Sequence, residues 1–162
     1  ADVLLVFENS AGQGGTIGSK FEELGEMLHR IDSPRAKVCI DTCHAFAAGY
    51  DVSNAAGVAA AMGQLDATIG AANVAAVHLN DSKTPLGAGR DLHENIGEGH
   101  IGRSGFEAML AHPAFADVPL LLEVPGFKLD GSGKGPERPN IDLVKEIRAR
   151  VAGARKPAQK KK

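Results

Sequence analysis

The sequence predicts an α/β fold of four βα units, the content of half a (β/α)8 barrel. Three observations carry this prediction. Four short apolar runs, 3–7, 37–40, 74–79 and 118–122, are near-continuous and aliphatic, as in parallel strands buried on both faces. Each run is followed by a stretch in which apolar residues recur at helical spacing. Each run also ends in or beside a residue able to bind a cation: Glu8, Asp41, His78 and Glu123. In a (β/α)8 barrel the carboxyl ends of the strands converge on one mouth, where function is carried. A doubly wound sheet would instead fan them out and would place a glycine-rich phosphate loop after the first strand. Gly12-Gln13-Gly14-Gly15 stands there but lacks the G-x-G-x-x-G spacing, so dinucleotide binding is set aside.

In chain order, strand 3–7 leads to a helix over 19–31, with Phe21, Leu24, Met27, Leu28 and Ile31 on one stripe. Strand 37–40 is followed by an alanine-rich helix over 54–69. Strand 74–79 precedes a helix over 103–111, with Phe106, Met109 and Leu110 inward and Ser104 as its expected cap. Strand 118–122 precedes a helix over 141–151, with Leu143, Val144, Ile147 and Val151 on one face and Asn140 as its cap. Pro34, Pro113 and Pro139 are expected outside helices. Residues 1–152 then form the half barrel, and 153–162 a basic C-terminal tail expected to be disordered. A full barrel takes about 250 residues and eight strands, so half of one leaves two strand edges open. Its inward face, read as Val6, Ile40, Val77 and Leu121, would lack an opposite wall, which points to a partner covering it.

A length of 162 residues suits one domain, and no apolar run approaches the roughly 20 residues needed to cross a bilayer. Net charge is −2, unevenly placed. Residues 145–162 hold eight Lys/Arg against Glu146 alone, which leaves 10 basic and 19 acidic residues in 1–144. Such an acidic body is not the face of a generic nucleic-acid binder. Either the acids serve a cation or nucleic acid is not the ligand. The terminal Lys156-Pro157-Ala158-Gln159-Lys160-Lys161-Lys162 reads as a solvated tail, with a nuclear or mitochondrial address as the functional alternative. Cys39 and Cys43 are the only cysteines and are expected as free thiols in a reducing intracellular compartment. Asp2-Val3-Leu4-Leu5-Val6-Phe7 opens directly in a strand-like run, as a piece of a longer protein would.

The chemistry concentrates at the strand ends. Asp41-Thr42-Cys43-His44 places a carboxylate at a strand end and an imidazole three residues later, expected in the loop; Asp91-Leu92-His93 places the same pair two apart. With Glu8, His78 and Glu123 these make seven candidate ligands, more than a single tetrahedral ion uses. Mixed His/carboxylate sets suit Zn²⁺, with Mn²⁺ as an alternative. Any one of these residues alone is more readily a cap or an ion-pair partner; the cluster carries the inference. His29, His100 and His112 fall away from strand ends and are read as non-ligands.

The segments Glu8-Asn9-Ser10-Ala11-Gly12-Gln13-Gly14, Cys39-Ile40-Asp41-Thr42-Cys43-His44, His78-Leu79-Asn80-Asp81-Ser82-Lys83 and Asp91-Leu92-His93-Glu94-Asn95-Ile96-Gly97-Glu98-Gly99 strongly resemble the endonuclease IV family of abasic-site DNA repair nucleases. The resemblance runs from residue 1 to about Glu123. It implies a (β/α)8 TIM barrel with three zinc ions at its mouth that cuts the phosphodiester 5′ to an abasic site. Carried over by position, it makes Glu8, Asp41, His78 and Glu123 ligands of one ion, with Glu8 bridging to a second, and His44, Asp91 and His93 ligands of the third. Glu8 and Glu123 are the implied catalytic carboxylates, and Lys83 and Arg90 the implied DNA contacts. The match is to the C-terminal half alone; the half that supplies two further histidine ligands and most DNA-penetrating side chains has no counterpart here. Val124 stands where a threonine is expected after the last ligand. The resemblance thus implies abasic DNA as a partner once a complementary N-terminal half, or another protein covering the open edges, completes the barrel. Two other readings remain open: a non-catalytic relative serving as a structural subunit, and a metal-dependent sugar isomerase or epimerase on a similar barrel. Seven candidate ligands speak against the latter, because a one-ion site needs about four.

Overall fold

The computed structural model describes residues 3–126 and 138–154. Four parallel strands, β1 (Leu5–Glu8), β2 (Ala36–Asp41), β3 (Val74–His78) and β6 (Leu120–Leu121), form one sheet in the order β1-β2-β3-β6. The strands follow one another across the sheet in chain order. A doubly wound sheet reverses direction at a switch point, and no reversal occurs here. Two further short strands, β4 (Asp81–Ser82) and β5 (His93–Glu94), pair antiparallel above the end of β3. The helices are α1 (Phe21–Ile31), α2 (Thr42–Ala47), α3 (Ala55–Thr68), α4 (Gly102–Ala111) and α5 (Arg138–Ala154). None among the described residues is long and apolar enough to cross a membrane.

One layer of core lies between the helices and the outer face of the sheet. Phe21, Leu24, Val38, Ile40, Met62, Leu65, Val77, Phe106, Met109 and Ile147 are all buried in it. This corrects the expected inward face. Ile40 and Val77 pair across β2 and β3 on the helix side, whereas Val6 and Leu121 stay exposed at 41% and 46%. Successive side chains of a strand alternate faces. With Asp41 and His78 aimed at the mouth, their neighbours Ile40 and Val77 must point outward.

Helix ends also depart from expectation in instructive ways. Asn54, expected within the helix over 54–69, instead caps α3, its Oδ1 accepting from Gly57 N at 2.9 Å. Ser104 does not cap α4; it lies inside the helix and its hydroxyl donates to Ser53 O at 3.1 Å. The cap is the carboxylate of Asp81, which accepts from Ile101 N at 3.0 Å and from Gly102 N. Asn140 likewise lies within α5, fully buried, accepting from Ile96 N at 2.9 Å and donating to Asn95 Oδ1 at 3.0 Å. Pro139 is in the first turn of α5, not outside it, where a missing N–H leaves no bond unmade. Pro113 opens a short 3₁₀ turn, Pro113–Phe115. Of the tail expected over 153–162, Gly153 and Ala154 belong to α5, and the residues from 155 onward lie outside the described residues.

Candidate metal centre

Glu8, Asp41 and His78 are the last residues of β1, β2 and β3, and Glu123 follows β6 by two. The strands run parallel in register, with Glu8 opposite Cys39 and Asp41 opposite His78, so all four side chains reach the same rim. His78 Nδ1 lies 3.1 Å from Glu8 Oε1, 3.1 Å from Glu123 Oε2 and 4.0 Å from Asp41 Oδ2. One ligand atom from each of the four lies within 4.8 Å of all the others. Three carboxylates and one imidazole gathered this closely describe a cation-sized, oxygen-rich position.

His44, Asp91 and His93 form a second group. His44 lies not in a loop, the sequence expectation, but in the first turn of α2, which Asp41 caps by accepting from His44 N at 2.8 Å. His93 belongs to β5, and Asp91 precedes it in the β4–β5 connection. The Nε2 atoms of His44 and His93 stand 3.0 and 3.1 Å from Asp91 Oδ1. Both nitrogens are buried and neither has a hydrogen-bond partner. Their other ring nitrogens explain why. His44 Nδ1 bonds the carbonyl of Asn9 at 2.8 Å, and His93 Nδ1 the carbonyl of Glu123 at 2.9 Å. A carbonyl can only accept, so in the neutral rings the proton sits on Nδ1 and Nε2 presents a lone pair. That tautomer is the one a metal-binding histidine needs. Two buried lone pairs aimed at one carboxylate fit a divalent cation.

The charges are consistent with this. The hydrogen bond from His44, with the nearby His78, holds the Glu8 carboxyl below its usual range despite burial. Burial works against a charged His44, yet Glu8, Asp41, the Asn9 carbonyl and Asp91 together carry it up to about 10. Burial pushes the Asp41 carboxyl upward. These are the balances of a pocket dense in negative charge, in which His44 is the group that would be discharged by a bound cation.

Cys39 and Cys43 are free and buried, as expected, and Cys43 Sγ donates to Leu92 O at 3.6 Å. Cys43, Asp41 and His93 also fall within ligand distance of one another. Burial, reinforced by neighbouring carboxylates, pushes both thiols up to about 12. The folded chain should therefore show no thiol reacting with Ellman's reagent at pH 8 within minutes, and two after denaturation. A stoichiometric fast phase in the native state would contradict this.

Lys83 and Arg90 are exposed in the stretch joining β4 to β5, outside both groups. His29, His100 and His112 join neither group; His112 Nδ1 accepts from Ala114 N instead. Two residues without an assigned role in the sequence reading are central here. Asn9 pairs with the Asp41 backbone in both directions, accepting at 2.7 Å and donating at 3.1 Å, and so extends the β1–β2 ladder by one step. Asn80, fully buried, contacts both Asp41 and Glu123. Their signal in the sequence is a place one or two residues past a strand end, inside two of the segments that carry the resemblance.

Residues 1–149 match the family described as xylose isomerase-like TIM barrel. A protein of Halobacterium salinarum named "Probable endonuclease 4" is 47% identical over 148 residues, covering 91% of this chain and 52% of that protein. Another of the same name from Chlorobium phaeobacteroides is 48% identical over 121 residues, covering 74% and 43%. The chain spans about half the length of the curated relatives it matches. The crystal structure of endonuclease IV from Thermus thermophilus superposes with a TM-score of 0.73 at 35% identity, over 93% of this chain and 50% of that one. Strand order, outward helices and ligand-type residues gathered at the carboxyl rim agree with these matches, and the chain belongs to the xylose isomerase-like TIM barrel family, its relatives there being endonuclease 4 proteins.

Proposed function

We propose that this chain is the C-terminal, metal-holding half of a zinc-dependent endonuclease that hydrolyses the phosphodiester 5′ to abasic sites in DNA. The observation that supports it most is the pair of ligand groups, one of four residues and one of three, built on the strand ends of a chain nearly half identical to endonuclease 4 proteins. Glu8, Asp41, His78 and Glu123 would hold one zinc ion, and His44, Asp91 and His93 another. Glu8 Oε1 lies 3.1 Å from His78 Nδ1, and its carboxylate would serve the ion of the four-residue group while bridging to a second ion whose remaining ligands would come from the complementary half. Bound zinc supplies Lewis acidity, a water made acidic enough to attack, and countercharge for the leaving oxygen. Manganese is the alternative ion for so carboxylate-rich a set.

The protein's own contribution is placement. Glu8 and Glu123 approach the same point from opposite edges of the sheet, where they would hold the reacting phosphate's surroundings in register. Asn9 and the Glu123 carbonyl fix the tautomers of His44 and His93. Lys83 and Arg90, exposed beside the rim, are the side chains here suited to phosphates of the flanking backbone. Val3, Leu5, Val6 and Leu121, all more than 40% exposed, mark where a complementary N-terminal half, or another protein, would cover the sheet.

The test combines zinc content with incision of a duplex carrying one abasic site, for the chain alone and with a matching N-terminal half. Zinc bound by the chain alone, negligible incision alone and incision restored by the added half are expected. Zinc retained with no incision under any pairing would favour a structural subunit. A chain that binds no zinc would sink the reading.

A further inference from the structure

We propose that Asn80 is a positioning residue that sets the Asp41 carboxylate and the chain carrying Glu123 for metal binding by the four-residue group. The proposal rests on the metal-centre reading above. Asn80 is fully buried, two residues beyond His78. Its side-chain oxygen accepts from Glu123 N at 2.8 Å, and its Nδ2 donates to Asp41 Oδ2 at 2.6 Å. The orientation of this amide is settled by chemistry: a backbone N–H can only donate and a carboxylate only accept, so the oxygen faces Glu123 and the nitrogen faces Asp41. The Asn80 backbone is itself held, its N–H donating to Thr42 Oγ1 at 2.9 Å and its carbonyl accepting from the same hydroxyl at 2.7 Å.

Asp41 Oδ2 is the oxygen that matters. It faces His78 Nδ1 at 4.0 Å and His93 Nε2 at 3.6 Å, on the side where the two groups meet. Asp41 Oδ1 is already committed to capping α2 through His44 N. With Asn80 taking one lone pair of Oδ2, the carboxylate can neither rotate nor swing away, and its remaining lone pair is left facing the rim. The other end of the amide reaches further. The Glu123 peptide whose N–H it holds is the same residue whose carbonyl accepts from His93 Nδ1. One buried amide thus links a ligand on β2, a ligand beyond β6 and, through that residue, a histidine of β5.

Asn80→Asp separates positioning from mere packing. The substitution keeps the shape and the acceptor for Glu123 N, so His93 stays held, but turns the donor facing Asp41 into a second carboxylate oxygen. The measurement is zinc affinity of the full chain by competition with a chromophoric chelator, in two backgrounds: His44→Ala, which leaves the four-residue group, and His78→Ala, which leaves the three-residue group. In the first, N80D is expected to weaken zinc binding roughly 10–100-fold, the range for partners that orient metal ligands. In the second the loss should be several-fold smaller, because Asp41 faces His93 at 3.6 Å but is not a ligand of the three-residue group. The visible spectrum of cobalt(II) should change with N80D in the first background only. Asn80→Ala, which brings no charge into the core, is expected to weaken the four-residue group at least about tenfold as well. Unchanged affinity in the first background, or equal losses in both, overturns the proposal while leaving the metal centre standing. Absence of zinc binding in the His44→Ala parent overturns both.

Discussion

Asp81→Ala is expected to lower the unfolding free energy by about 3–5 kcal/mol, because buried donors left without an acceptor cost about 1–3 kcal/mol each. The Asp81 carboxylate is fully buried and collects five backbone N–H groups. Oδ1 accepts from Ser82 at 2.8 Å and Ile101 at 3.0 Å; Oδ2 accepts from Gly97 at 2.9 Å and Gly99 at 3.0 Å; Gly102 lies 3.3 Å from Oδ2. Burial pushes this carboxyl upward, and the N–H groups work against that push. Ser82 and Ile101 are buried and cannot turn to water, whereas Gly97, Gly99 and Gly102 are partly exposed and can. Two full penalties and three partial ones give the figure. Asp81→Asn should rescue little, since its amide would set a donor against donors. Urea unfolding checks this, and a loss below about 1 kcal/mol, the size of one ordinary hydrogen bond, would contradict it.

On the proposed zinc-dependent reading, His78→Ala is expected to reduce incision by the assembled barrel at least about 10³-fold and to remove one zinc ion per chain, because both reacting oxygens would depend on the ions being fixed. His78 Nδ1 is the one nitrogen among three carboxylates, within 3.1 Å of Glu8 and Glu123. Without it the three acids face one another with nothing between them, and the group loses a ligand and gains repulsion. The rest of the fold should survive, as the side chain lies on the rim and not in the core. Zinc counting by mass spectrometry and single-turnover incision test this. Retention of a tenth of the activity would show that the ion is held elsewhere.

The strand ends are legible in the sequence because buried parallel strands are almost wholly aliphatic, so the first polar residue after each run stands out. Glu8, Asp41, His78 and Glu123 can be read in this way. Which face each apolar residue takes cannot be read from the runs alone, since both faces are apolar, and Ile40 and Val77 take the face opposite to the expected one for that reason. The direction of Asp41 carries the missing information. The six residues of α2 have no apolar period, and their cap is Asp41, itself read as a ligand. Ser104 and Asn140 look like caps locally, but the groups that decide the outcome lie far away in sequence: Asp81 for α4, and Asn95 with Ile96 for Asn140.

Glu8 stands on one edge of the sheet and Glu123 just past the other, yet both meet the same nitrogen of His78 at 3.1 Å. On a flat sheet, where neighbouring strands lie about 4.8 Å apart, side chains from outer strands do not share one atom so readily. The match to half of a (β/α)8 barrel implies strands that curve together along their order, and the rim residues meet on the inside of that curve. That arc is a template for what can join it. A strand adding to β1 or β6 must continue the bend, which a second arc of the same radius does and a flat, stacking strand does not. Curvature thereby selects for closure over fibrillar growth at the β1 and β6 edges, which no strand among the described residues covers.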